Sequence, residues 1–304
     1  MKSTDLDLFY SEIEQNFKKI AQSKLAQRLY HGRGGTYEEL NFFNIDFYSS
    51  AVFITLFKDL PFDSILGKLR SIFGQNFSVI LQRRYLKPVQ VEQYGTEISS
   101  PFLCEEMGLK FYVNLLENQN PGLFLDMKEG KKWLRDNSRE KSILNLFSYT
   151  CSVSVFALAG GASKVLNIDQ KKSFLNIGRE NHRQNNFNSR AEFRNWDVKK
   201  SMNQIAKQGP FDIIFCDPPT NQAKSFFYKN DYSKIIEKSS KVLSVGGYFV
   251  ACLNTPFETS EYLQKLFLAD SNEWEYVKTL FSSDDFREID KENGVKIVIY
   301  RLIS

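Results

Sequence analysis

The sequence predicts an α/β protein: a mostly parallel sheet covered by helices, preceded by a smaller N-terminal α+β domain. Two observations predict it. From about residue 121 onward, short apolar runs alternate with helical segments, and several of these runs end in an acidic residue. Upstream, strand-like runs surround one short amphipathic helix without that regular alternation. The 304 residues divide on this reading into 1–35, a helix with a basic loop, 36–120, a small domain that positions substrate, and 121–304, the ligand-binding sheet.

In the first segment Leu6, Phe9, Ile13, Phe17, Ile20 and Leu25 recur at three- and four-residue spacing. This predicts one helix running to about Tyr30 with a single apolar face. His31-Gly32-Arg33-Gly34-Gly35 must end it. As plain structure the loop is a C-cap and turn. As function, its glycines would let Arg33 and backbone N–H groups approach a phosphate.

In the second segment, residues 51–57, 77–84 and 109–115 read as strands and 62–73 as a helix carrying Leu66 and Leu69. Arg83-Arg84-Tyr85 follows one strand, a basic pair with an aromatic that suits a phosphate and a stacked base, or else a solvated strand end. A polar turn over 117–122 closes the domain.

The third segment opens with a helix carrying Trp133 and Leu134. Residues 143–147 then form an apolar run suited to a strand buried on both faces. Ser148 to Ser152 is a small polar turn, 153–159 a helix stopped by Gly160-Gly161, and 164–168 a second buried strand ending in Asp169. An acidic residue about 20 positions after the first strand is the ribose clamp of nucleoside-binding βαβ units. The plainer reading is a core βαβ unit with a chance aspartate. The turn Phe147-Ser148-Tyr149-Thr150-Cys151 lacks the glycines that a pyrophosphate requires. A nucleoside ligand without phosphates fits better, and S-adenosylmethionine is the candidate cofactor.

Farther on, the helix over 171–185 carries Arg179, His182 and Arg183, and the strand over 191–196 ends in Trp196-Asp197. Asp197 can accept from an adenine amino group, and Trp196 or Phe147 can cover a ring face. The buried run 211–216 leads into Asp217-Pro218-Pro219-Thr220. Two prolines fix the backbone there and leave the Asp217 carboxylate rigid at the same sheet edge. A proline turn after a core strand is the bland alternative. Residues 242–253 read as a helix end, a Gly246-Gly247 turn and a fifth strand, and 274–281 with 295–302 as a final strand pair around a polar stretch. Five βα repeats capped by such a pair resemble the Rossmann-like, seven-stranded sheet of class I methyltransferases.

Composition narrows the class. Cys104, Cys151, Cys216 and Cys252 form no C-x-x-C pair and there are two histidines, so no metal site is expected and free thiols suggest a reducing cytoplasm. No apolar run reaches membrane-spanning length, and Met1-Lys2-Ser3 does not open a secretory leader. A net charge of +4 is compatible with an RNA partner.

Taken together, Gly122-Leu123-Phe124-Leu125-Asp126, Asn145 to Thr150, Gly160-Gly161-Ala162, Ile168-Asp169, Glu180-Asn181 and Asp217-Pro218-Pro219-Thr220 resemble the bacterial large-subunit ribosomal RNA methyltransferases. The resemblance covers about residue 42 to the C-terminus. It implies S-adenosylmethionine as methyl donor, 23S ribosomal RNA as substrate class and a possible homodimer. By resemblance Phe124, Asp126, Phe147, Ser148, Tyr149, Thr150, Asp169, Gln170, Trp196, Asp197 and Asp217 hold the cofactor. Asp217 with Pro218 holds the target base. This sequence departs from the family in having Cys151 for glycine, whose positive φ a side chain disfavours, and Lys128 for arginine, which loses a bidentate fork. In place of an accessory RNA-binding domain it carries the first helix and the His31–Gly35 loop.

An activated sulfonium needs positioning more than acid–base help. A ring nitrogen could attack directly, with Asp217 offsetting developing charge. Carbon-5 of cytosine would need a thiolate, for which Cys252 is the candidate, or else a buried core thiol. Methylation of a small molecule or a protein, and a non-catalytic nucleoside-binding module, are the alternatives.

Overall fold

The computed structural model describes residues 3–117, 119–222, 226–270 and 274–304. Met1 and Lys2, and Asn118 in the polar turn expected over 117–122, lie outside the described residues. The chain forms two compact units, Met1–Leu125 with Ser283–Asp290, and Asp126–Ser282 with Lys291–Ser304. No helix among the described residues is long and apolar enough to cross a membrane.

In the first unit, α1 (Ser3–Ser23) is followed by β1 (Gln27–His31), β2 (Phe43–Tyr48), β3 (Ala51–Leu56), α2 (Asp63–Phe73), β4 (Ser78–Arg83) and β5 (Gln90–Gly95). These strands make one sheet in chain order, parallel only between β3 and β4, where α2 provides the crossover. A separate hairpin joins β6 (Phe102–Glu106) and β7 (Leu109–Val113). Phe9, Ile13, Phe17 and Ile20 of α1 pack with Leu66, Leu69 and Phe73 of α2 and with Phe43, Ile45 and Phe47 of β2. This burial favours the unit by roughly 1.5–3 kcal/mol per large side chain before chain entropy is counted.

The helix predicted to reach Tyr30 ends at Ser23 instead. Lys24 takes φ 55°, the chain reverses, and Gln27–His31 pairs antiparallel with β2 as the sheet edge. Leu29 and Tyr30 are then buried in the sheet core, a tertiary gain that overrides the helical spacing of Leu25. Strand β2 escaped the sequence reading because it carries Asn44 and Asp46. Asp46 is buried through a fork to Arg28, with Oδ1 accepting from Nε at 2.5 Å and Oδ2 from Nη2 at 3.1 Å.

The second unit contains α3 (Lys128–Asn137), β8 (Ser142–Leu146), α4 (Ser152–Ala159), β9 (Lys164–Ile168), α5 (Lys172–Gln184), β10 (Ala191–Arg194), α6 (Val198–Ala206) and β11 (Phe211–Cys216). Two short strands, β12 (Asn221–Gln222) and β13 (Phe226–Phe227), precede α7 (Tyr228–Ser239), β14 (Leu243–Asn254), α8 (Ser260–Leu268), β15 (Trp274–Phe281) and β16 (Val295–Leu302). The seven-stranded sheet runs β10-β9-β8-β11-β14-β16-β15, with β16 antiparallel to both neighbours. The seven-stranded α/β architecture expected from the sequence is therefore present.

Two glycine features differ from, or sharpen, the expectation. Gly246-Gly247 is not a turn between helix and strand: α7 ends at Ser239 and both glycines lie inside β14. There Gly246 takes φ 82° where the pairing with β11 slips, and a Cβ on Gly247 would meet the Asp212 carbonyl at 2.8 Å. Gly160 does cap the end of α4, and Gly161 after it takes the left-handed φ of 89°. The absence of a side chain at Gly160 lets the chain pass where a Cβ would lie 1.9 Å from the carbonyl oxygen of Arg135 in α3.

Candidate functional site

The parallel registers end level. Leu146 of β8 pairs with Ile168 of β9, Ile168 with Arg194 of β10, and Leu146 with Cys216 of β11. The residues that follow, Phe147, Asp169, Asn195 and Asp217, therefore leave the sheet side by side at its C-terminal edge. Chain order reverses between β8 and β11, which opens the crevice where such sheets bind ligands.

The turn after β8 is strained. Phe147, Tyr149 and Cys151 take φ of 56°, 48° and 60°, left-handed values that cost non-glycine residues roughly 1–3 kcal/mol each. Surrounding bonds hold it. Ser148 N–H donates to Ile168 O at 2.9 Å, and Cys151 N–H to Ser148 O at 2.7 Å. The buried Asn181 amide of α5 donates to Thr150 O at 3.0 Å, which gives Glu180-Asn181 its structural meaning. The Tyr149 ring lies edge-on to Phe174 and the Phe147 ring edge-on to Phe226. Cys151 does adopt the conformation a side chain disfavours, at the start of α4, and its thiol is buried.

Asp169 is pinned to this turn. One carboxylate oxygen accepts from Tyr149 N–H at 2.9 Å and the other from Lys171 N–H at 2.8 Å. Burial raises its pKa, and these two N–H groups oppose the rise. Gln170 beside it is exposed. Asp197 is the N-cap of α6, with Oδ1 accepting from Lys200 N–H at 3.2 Å, a task the sequence reading did not assign it. Trp196 is partly buried against the main core, with the Arg194 guanidinium 6.0 Å from its ring centre.

Asp217 leaves β11 with buried Pro218 behind it. Burial first, then the charge of Asp126, pushes its carboxyl up to about 7, and the Lys131 ammonium opposes the rise. Asn254 donates to Asp126 at 3.4 Å, and Thr220 Oγ1 donates to Asn254 O at 2.9 Å. Tyr232 Oη lies 3.2 Å from Cys216 O and 3.0 Å from Cys252 O, tying the ends of β11 and β14 together. Lys131 is fully buried in α3 and went unnoticed in the sequence. Its position, four after Met127 and three before Leu134 on the apolar helix face, was the available signal.

Cys252 lies in β14 with no exposed surface, and burial with the Asp217, Cys216 and Asp126 charges pushes its thiol well above the ordinary range. A nucleophilic thiolate needs the opposite surroundings. Phe124 belongs to the first unit and is 38% exposed. His182 is a neutral core residue: Nδ1 lies 2.7 Å from Gly178 O, Nε2 lies 3.0 Å from Ser154 Oγ, and burial lowers its pKa to about 4.

A family model described as S-adenosylmethionine-dependent methyltransferase matches residues 27–301. A ribosomal RNA large subunit methyltransferase K/L from Psychrobacter arcticus is 32% identical over 216 residues, covering 66% of this chain and 28% of the relative. The chain thus spans under a third of that relative's length. Two solved structures match at TM-score 0.86 and 24% identity, covering 97% of this chain and 81% of theirs. One is a proposed S-adenosylmethionine-dependent methyltransferase from Streptococcus mutans, the other a proposed methyltransferase complexed with SAH.

Proposed function

Since this chain belongs to the S-adenosylmethionine-dependent methyltransferase family, we propose that it methylates a base of 23S ribosomal RNA in the cytoplasm. One observation carries the reading. Asp169, Asp197 and Asp217 follow strands that end level, and Asp217 lies across the β8–β11 switch point from the turn at Phe147. The similarity to a large-subunit ribosomal RNA methyltransferase supports the substrate.

The residues present suit the cofactor. Two carboxylates that repel each other, Asp126 and Asp217, fit a cationic or N–H-donating ligand, and among the described residues no hydrogen bond ends on Asp217. In this reading Asp169 accepts from ribose hydroxyls, the uncapped oxygen of Asp197 accepts from the adenine amine, and Phe147 with Trp196 covers ring faces. Ser148, Tyr149 and Thr150 face the amino-acid end. When bound, S-adenosylmethionine supplies a methyl group activated by its sulfonium.

This chain's own residues then orient the acceptor. Ionised Asp217 accepts from a base N–H and offsets the positive charge that develops on the methylated ring nitrogen. Pro218 and Pro219 keep its backbone from yielding. A ring nitrogen needs no prior addition of a thiolate, consistent with the buried, protonated state of Cys252. The turn forms with Cys151 at φ 60° in place of a glycine, so that substitution does not by itself favour a non-catalytic nucleoside-binding module.

Mass spectrometry of 23S ribosomal RNA nucleosides, from cells with and without the protein, tests the reading. We expect one methylated nucleoside to disappear and to return with wild type but not with Asp217→Ala. An unchanged profile would sink it.

A further inference from the structure

We propose that Arg33 and Arg84, brought against the one ring of Phe57, form a phosphodiester-binding subsite for the RNA substrate on the first unit. The proposal rests on the RNA reading above and adds the surface that grips the backbone.

The two arginines are far apart in sequence, yet the Arg33 guanidinium lies 5.0 Å and the Arg84 guanidinium 6.0 Å from the Phe57 ring centre. Among the described residues neither pairs with a carboxylate. Burial first, and then the neighbouring Arg33 charge, lowers the pKa of Arg84. With its amide oxygen assigned toward Arg84, Gln119 accepts from Nε at 3.1 Å and Nη2 at 3.2 Å, which leaves Nη1 and the outer Nη2 hydrogen of the fork for a phosphate oxygen.

The neighbouring basic and aromatic groups are otherwise engaged. Arg83 is paired with Glu92 at 2.7 Å, and the Tyr85 hydroxyl donates to Asp59 at 3.0 Å. Of the basic pair singled out in the sequence, only Arg84 joins this cluster.

The turn that displays Arg33 is rigid. A Cβ on Gly32 would meet Phe43 O at 2.1 Å, and one on Gly34 would meet Arg287 O at 1.9 Å. Ile289 N–H donates to Gly34 O at 3.0 Å, and His31 Nε2 lies 2.8 Å from Glu288 Oε1. These two glycines therefore serve close packing rather than backbone contact with a phosphate, and Arg33 is the exposed side chain between them. A pre-organised pair of guanidiniums matches a phosphodiester, whose two free oxygens accept from planar forks.

The test is filter binding of a 23S ribosomal RNA transcript across a salt series, with calorimetric S-adenosylmethionine affinity measured on the same samples. Arg33→Ala/Arg84→Ala should bind RNA about tenfold more weakly, with the salt slope reduced by about 0.7, the value for one single-strand phosphate. Its cofactor affinity should match wild type. Arg33→Glu, a change at an exposed side chain, should weaken RNA binding at least as much without disturbing the fold. If either variant binds RNA with wild-type affinity and slope while wild type methylates the transcript, the subsite is wrong and the RNA reading stands. If wild type shows no salt-dependent RNA binding, both fall.

Discussion

The sulfur of Cys151 fills the space that Gly178 leaves open on α5: a Cβ placed on Gly178 would lie 2.6 Å from Sγ and 3.0 Å from the cysteine Cβ. The substitution at the turn and the glycine on the helix are thus matched. Gly178→Ala should destabilise by about 1–3 kcal/mol through overpacking, less about 1 kcal/mol regained from helix propensity. In Cys151→Gly the same change should become neutral or stabilising. Thermal melts of the four proteins in this cycle measure the coupling, and strict additivity would refute the contact.

Asp217 makes stability and activity depend on pH in opposite senses. Its carboxyl is raised from 3.8 to about 7, so the folded state binds the proton more tightly than the unfolded chain. The stabilisation from this group is complete below about pH 4 and is lost as pH rises through 7. The melting temperature of wild type should therefore fall relative to Asp217→Asn between pH 5 and pH 8. The kcat/KM for RNA should rise over the same range, because the ionised form is the productive one. Asp126→Asn removes the like charge, so its profile should shift to lower pH; an unmoved midpoint would mean that the two carboxylates do not interact.

Asp169 joins the turn to the expected ribose position through its bonds to Tyr149 and Lys171. Asp169→Ala should weaken S-adenosylmethionine binding about tenfold to a hundredfold by calorimetry. Affinity equal to wild type would remove the assignment.

For Asp197, two roles can be separated by two substitutions. Asp197→Ala should lose the cap of α6, about 1 kcal/mol of stability, together with cofactor affinity. Asp197→Asn keeps a capping oxygen but turns an amide N–H group toward the adenine amine. It should melt like wild type while binding S-adenosylmethionine more weakly. If both variants bind normally, Asp197 is a cap and nothing more.

Cys252→Ala should retain methyl transfer within a few-fold, at a cost of about 1 kcal/mol for the small void in a closed core. Abolished turnover with cofactor binding intact would restore Cys252 as a nucleophile.

Local pattern by itself determined the parallel sheet of this protein. Buried parallel strands are short apolar runs that end where polarity returns, so Asp169 and Asp217 could be placed at strand ends without coordinates. The strand expected to run on to Asp197 ends at Arg194, and Asp197 lies three residues on as a helix cap. Tertiary structure alone decided what depends on partners distant in the chain. Gln27–His31 became a strand because β2 needed an edge partner. Lys131 met Asp217 because α3 folds over the sheet face, and Arg33 met Arg84 because the strands between them set both beside Phe57. The physical reason is one of range: helical and strand periods are set by near neighbours, whereas charge, burial and steric fit are summed over whatever the completed fold brings within a few ångströms.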